Sequence, residues 1–306
     1  VVESVDEPTR TTLRPRPPVD LTLTLGILGF GRPHPCVRRD RDGSWWRATR
    51  TPLGPATTRF VSGEGAIHAE AWGPGKEWAL DAAPELLGSR DPADAFDPAP
   101  GIVRDLHRRM PGLRIPRSRA VFETLAPTIL EQKVPGAEAF TTYRNLVRAF
   151  GEPGPGPAGL RLPPSPDTLA GTPYPAFHPL GIERRRADTL RAAASRAVRL
   201  EEAVGMPLPQ AYRRIQAFPG VGPWSAARVA MVALGDADAV PLGDYHFPHM
   251  VAWAFVGRPR GTDEQMLELL EPFAGHRGRV LRLLLAAGVS APRYGPRMSL
   301  RSIERI

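Results

Sequence analysis

The run Phe218–Met231, FPGVGPWSAARVAM, carries residues whose types and spacing could do chemistry. Gly220 and Gly222 stand one residue apart, and Pro223 follows where proline is tolerated in the first turn of a helix. Glycine opens backbone conformations closed to other residues, and a helix starting here leaves N–H groups without acceptors. Such a turn favours an anion, most simply a phosphate. A nucleotide-binding P-loop is excluded, because no Lys-Ser/Thr pair follows the glycines. With no side chain reading bases, the turn would grip a DNA backbone irrespective of sequence.

Asp244 lies twenty-two residues beyond Gly222, in VPLGDYHFPHM, before a predicted helix. A carboxylate there can cap the helix or act as a general acid or base, and the residue type admits both. Asp236 and Asp238, in the polar turn GDADA, read as solvated. His246 and His249 stand one turn apart, a spacing that hints at metal, but no third ligand accompanies them. Amine nucleophiles are scarce, since Lys76 and Lys133 are the only lysines. The basic runs at Arg184–Arg186 and around Arg108 read as solvated faces.

The elements that must position these residues change character along the chain. VDLTLTLGIL and GAIHAEAWG alternate apolar and polar residues, and SWWRATRT is aromatic and β-branched, so residues 1–97 predict a small antiparallel β-rich domain. One helix is expected within EWALDAAPELLG. From residue 98 to 306 apolar residues recur at three and four, predicting an all-helical domain, readable as two subdomains flanking a cleft. The Pro/Gly stretch of residues 151–181 reads as an ordered surface traverse. Trp253, Phe247 and Phe255 are spaced as a buried helix face, and Trp45, Trp46 and Trp72 as packing in the β-rich part. The fold class is therefore α+β.

Net charge is +8, which suits a polyanionic partner, although all but two of the 40 basic residues are arginine, as a GC-rich genome would also produce. A single cysteine, Cys36, excludes a disulfide framework and a four-cysteine zinc or iron–sulfur site. The polar start, with no apolar run of membrane length, points to the cytoplasm.

With its hairpin and downstream aspartate, the sequence resembles the helix-hairpin-helix DNA glycosylase superfamily. FETLAPTILEQKVPGAEAF and HPLGIERRRADTLRAAA resemble the upstream helices of that family. The Trp of GVGPWSA, the GDY and the β-rich start point to its 3-methyladenine DNA glycosylase II branch. The resemblance implies a catalytic Asp244, which would stabilise positive charge on the sugar and direct water at it. It implies a DNA-backbone contact at Gly220, Val221, Gly222, Trp224 and Ser225, with a base pocket at Trp224 and Tyr245. Gln132 and Lys133 match the positions that enter the DNA stack. A monovalent cation at the carbonyls of Phe218 and Val221 is the only metal implied, and no organic cofactor is.

Lyase branches carry lysine where this chain has Trp224, so a monofunctional hydrolase acting on alkylated purines is expected. Its partner would be double-stranded DNA, bound by a monomer at the bacterial nucleoid. Two alternatives stay open: another base specificity, for deaminated or oxidised bases, and a non-catalytic damage-binding protein.

Overall fold

A computed structural model of the chain describes residues 7–29 and 33–292; the extreme ends of both predicted domains lie outside the described residues. Five strands, β1 (Thr9–Leu13), β2 (Val37–Arg39), β3 (Trp45–Thr51), β4 (Gly54–Gly63) and β5 (Ala66–Trp72), form one antiparallel sheet in the order β1-β5-β4-β3-β2. The register is set at the β3–β4 turn, where Thr51 pairs with Gly54 and its Oγ1 donates to the Gly54 carbonyl. Gly54 takes a φ of 115°, a conformation that favours glycine.

Side-chain alternation sends Trp45, Phe60 and Ile67 to one face, against α2 (Lys76–Asp81) and α3 (Ala83–Leu86). Trp46, Ala48 and Trp72 go to the other face, and Trp46 and Trp72 stack with ring centroids 5.4 Å apart. The Pro/Gly stretch is not merely a surface traverse. Its Ala158, Leu160 and Leu162 are buried on that second face of the sheet.

The alternating run VDLTLTL is not a strand. It forms the short helix α1 (Leu21–Leu25), because Asp20 accepts from the N–H groups of Thr22 and Leu23 at 2.7 and 2.9 Å. Leu21, Thr24 and Leu25 are the buried positions, which is helical spacing. Thr24 can be buried because its Oγ1 accepts from the Arg114 N–H.

The remaining helices are α4 (Ile102–Arg109), α5 (Val121–Glu131), α6 (Gly136–Phe150), α7 (Pro166–Gly171), α8 (Arg184–Ala194), α9 (Ala197–Glu201), α10 (Leu208–Gln216), α11 (Pro223–Val229), α12 (Phe247–Val256), α13 (Asp263–Leu270) and α14 (Arg277–Ala286). Two apolar cores organise them. The first gathers Leu125 and Ile129 of α5, Leu146 of α6, Leu190 of α8, Ile215 of α10 and Val229 of α11. The second gathers Val103 and Leu106 of α4 with Val251 of α12, Leu270 of α13 and Leu284 of α14, so it takes chain from before and after the first. Arg186 is not a solvated face: it is buried, and its Nη1 donates to the Leu130 carbonyl at 2.9 Å. No described helix is long and apolar enough to cross a membrane.

Candidate active site

The hairpin joins α10 to α11, and its two glycines do different work. Gly220 has a φ of 83°, and an added Cβ would lie 2.6 Å from Thr189 Oγ1 on α8. Both the turn and the close approach therefore require glycine. Gly222 is extended (φ −94°, ψ −176°), and a Cβ there would meet nothing within 4 Å. Its surroundings are open space rather than packed protein. Phe218 and Val221 bury their side chains, and the Val221 N–H donates to the Phe218 carbonyl at 3.0 Å.

Gln132 does not point towards a stack of bases. Its Nε2 donates to the Gly220 carbonyl at 2.9 Å and to Ser225 Oγ at 3.1 Å, tying the end of α5 to the hairpin. Ser225 is buried with its hydroxyl so engaged, and only its backbone N–H remains for a phosphate. Lys133, next to Gln132, is exposed and takes a left-handed φ of 58°, which places it at the tip of the turn between α5 and α6.

Asp244 and Trp224 meet. The indole Nε1 of Trp224 donates to Asp244 Oδ2 at 2.8 Å. The other oxygen, Oδ1, accepts from the N–H groups of His246 and Phe247 at 2.7 and 3.0 Å. The residue thus caps α12 while its carboxylate is held from a second side, a set of three donors that suits an acceptor-only group. Gly243, at a φ of 83°, donates its N–H to Asp263 Oδ2 at 2.7 Å, which fixes the approach to Asp244 onto α13.

Tyr245 is 70% exposed, with its ring edge-on to His246 and His249, and forms no closed pocket wall. His249 Nδ1 accepts from the Gly261 N–H at 3.1 Å. Among the described residues no group of three or more His, Cys, Asp or Glu could hold a metal. Trp253, expected to be core, is 38% exposed, whereas Phe247 is buried.

Two further expectations fail in the GDADA turn. Asp236 is buried and accepts from the Tyr212 hydroxyl at 2.7 Å, and burial pushes its carboxyl up. Asp238 binds Arg277 through backbone and side chain. Both aspartates are structural anchors behind the site: aspartates in a polar turn need not be solvated when partners approach from other elements.

Sequence reasoning missed a charged pair beside Asp244. Arg228 follows Trp224 by one helical turn, and its Nη2 meets Glu131 Oε2 at 3.2 Å. Burial pushes the Glu131 carboxyl up, against the pull of the Arg228 charge and hydrogen bond, and the charge of Asp244 pushes it the same way as burial. Behind Arg228, Arg282 of α14 donates to the Leu23 carbonyl at 2.6 Å. Burial, helped by the Arg228 charge, lowers Arg282 to about 10. The available signal was Arg228 at one-turn spacing from Trp224 and Glu131 directly before Gln132.

Residues 126–274 match the family described as the HhH-GPD superfamily of base excision DNA repair proteins. The chain is 31% identical over 169 residues to a probable bifunctional transcriptional activator/DNA repair enzyme AlkA of Mycobacterium tuberculosis, covering 54% of this chain and 32% of that protein. It is 31% identical over 158 residues to DNA-3-methyladenine glycosylase 2 of Escherichia coli, covering 49% and 55% of the two. The chain therefore spans from about a third to just over half the length of these curated relatives. Among solved structures, a 3-methyladenine DNA-glycosylase from Archaeoglobus fulgidus aligns with a TM-score of 0.74 at 21% identity, over 91% of this chain and 97% of that one. At that identity the likeness establishes a shared fold.

Proposed function

We propose, for a chain whose residues 126–274 belong to the HhH-GPD superfamily of base excision DNA repair proteins, a DNA glycosylase that hydrolyses the N-glycosidic bond of damaged purines without cutting the strand. The observation that carries this reading is the Trp224–Asp244 contact, which sets a carboxylate beside the phosphate-sized space at Gly222.

Double-stranded DNA is gripped at the hairpin, where first-turn N–H groups of α11 face a phosphate and the open space at Gly222 admits the backbone. The damaged nucleotide is extruded, and Lys133 at the turn tip stands where it can contact the stack it leaves. As the C1′–N bond breaks, its electron pair departs with the purine and positive charge grows on the sugar. The Asp244 carboxylate stabilises that charge. A carboxylate offers about four lone-pair sites, and three donors fill all but one. The remaining site accepts a hydrogen bond from water, which attacks C1′ and passes its proton to Asp244. Alkylated purines fit best, because a ring already carrying positive charge leaves without an acid. Tyr245, exposed beside Asp244, offers a ring face to a cationic base.

Strand cleavage would need an amine that forms a Schiff base. Trp224 occupies the hairpin position and supplies a hydrogen bond instead. Of the two lysines, Lys76 donates to the Glu7 carbonyl at 2.9 Å, far along the chain in α2.

The test is single-turnover base release from methylated DNA by wild type and Asp244→Asn. Release should fall at least 100-fold in the variant while duplex binding persists. Equal release by both proteins would falsify the assignment of Asp244. Borohydride trapping of a covalent protein–DNA adduct would overturn the monofunctional reading.

A further inference from the structure

The space beside Asp244 is bounded by a closed ring of contacts. Asp244 Oδ2 accepts from Trp224 Nε1; Trp224 and Arg228 lie one turn apart on the same face of α11; Arg228 Nη2 meets Glu131 Oε2 at 3.2 Å; and Glu131 in turn feels the charge of Asp244. The end of α5 is fixed in this arrangement by Gln132, bonded to Gly220 and Ser225. The wall facing the carboxylate is therefore a guanidinium–carboxylate pair, not an aromatic platform. The two side chains stay 26% and 16% exposed, so the pair is open to the cleft. Their mutual contact engages Nη2 and Oε2, and leaves Nη1, Nε and Oε1 for another partner.

We infer that Glu131 and Arg228 read the edge of the extruded base and select purines with a guanine-type edge over those with an adenine-type edge. This inference rests on the glycosylase reading above. A guanine-type lesion such as 7-methylguanine presents the O6 acceptor beside an N1–H donor. Arg228 donates to O6 while the free oxygen of Glu131 accepts from N1–H, so both bonds form side by side. An adenine-type lesion such as 3-methyladenine presents an amino donor beside an N1 acceptor, and each group then meets its like. A site built to hydrogen-bond one pattern rejects the other because its own polar groups are left unpaired. The pair carries no net charge, so a cationic alkylated ring is not repelled from it.

The discriminating substitution is Glu131→Gln. Arg228 holds the amide oxygen, which turns the NH2 towards the base, where it opposes N1–H and complements an unprotonated N1. DNA treated with dimethyl sulfate carries both 7-methylguanine and 3-methyladenine, so one reaction reads both, each rate divided by its spontaneous release. The normalised ratio of 7-methylguanine to 3-methyladenine release should fall by about tenfold or more in Glu131→Gln. Arg228→Lys, which keeps the charge but loses the planar fork, should lower the same ratio. It serves as the second variant if Glu131→Gln does not fold, and thermal unfolding of both checks their integrity. A purely structural role would slow both releases together, and that result, or an unchanged ratio, overturns the inference while leaving the glycosylase reading intact. Release of neither base by the wild type overturns both.

Discussion

Substituting the two hairpin glycines one at a time separates the fold of the turn from its grip on DNA. Gly220→Ala places a Cβ in a left-handed backbone at φ 83° and 2.6 Å from Thr189 Oγ1. The backbone costs about 1–2 kcal/mol and the clash, relieved in part by rotation of the threonine, about 1–2 more. Roughly 2–4 kcal/mol of destabilisation follows. Gly222→Ala places a Cβ in extended backbone with nothing within 4 Å. The folded protein bears no strain, and the restricted unfolded chain adds about 0.4–1 kcal/mol of stability. Yet that methyl projects into the space assigned to a phosphate, so duplex affinity should fall about tenfold or more. Urea unfolding and fluorescence anisotropy with an abasic-analogue duplex measure the two effects. Gly220→Ala should be unstable, and Gly222→Ala should be stable and weak in binding. Wild-type duplex affinity in Gly222→Ala would refute the backbone clamp, and wild-type stability in Gly220→Ala would refute the steric reasoning.

Trp224→Phe keeps an aromatic body but removes the only side-chain donor to Asp244, so single-turnover base release should fall about 10- to 100-fold with duplex affinity retained. Glu85 accepts from Arg117 and Arg119; burial raises its carboxyl, but the Arg119 hydrogen bond and the charges of Arg117, Arg119 and Arg90 outweigh burial and hold it below the ordinary value of 4.5. A carboxyl lowered in the folded state adds stability above that value and loses it as pH falls through the folded one. Glu85→Gln should therefore cost about 1–3 kcal/mol at pH 7, and urea titrations should show that gap closing near pH 3. Asp91, fully buried, pairs with the equally buried Arg279 and accepts from the Ile115 N–H, so Asp91→Ala should destabilise by about 3–5 kcal/mol in the same assay.

What the sequence makes legible is what repeats locally. The strands SWWRATRT and GAIHAEAW, the helical period beyond residue 100 and the hairpin with its spaced aspartate are all local patterns, and each lies where expected. The failures come where a distant partner decides. Residues Leu21–Leu25 alternate like a strand, but Asp20 nucleates a helix, and Thr24 tolerates burial because Arg114, ninety residues on, supplies a donor. Arg186 looks like one of three solvated arginines until α5 presents the Leu130 carbonyl. Gln132 and Ser225 were expected to face DNA and instead bond each other across a separation of 93 residues. The Glu131–Arg228 pair escaped for the same reason, since neither residue declares its partner across nearly a hundred positions.

The placement of the site between two cores follows from the same geometry. Trp224 rides on α11, whose Val229 belongs to the first helical core, whereas Asp244 caps α12, whose Val251 belongs to the second. The contact at 2.8 Å therefore crosses from the half that holds the hairpin to the half that holds the carboxylate. A phosphate gripped at the hairpin is positioned relative to α11 alone. Only the Trp224 bond and the chain from Ala230 to Gly243 carry that position to Asp244. The Asp236–Tyr212 and Asp238–Arg277 contacts stiffen this connection, tying it to α10 on one side and α14 on the other. Aspartates that look like loop decoration thus hold the carboxylate in register with the grip, and loosening either should slow base release before it weakens DNA binding.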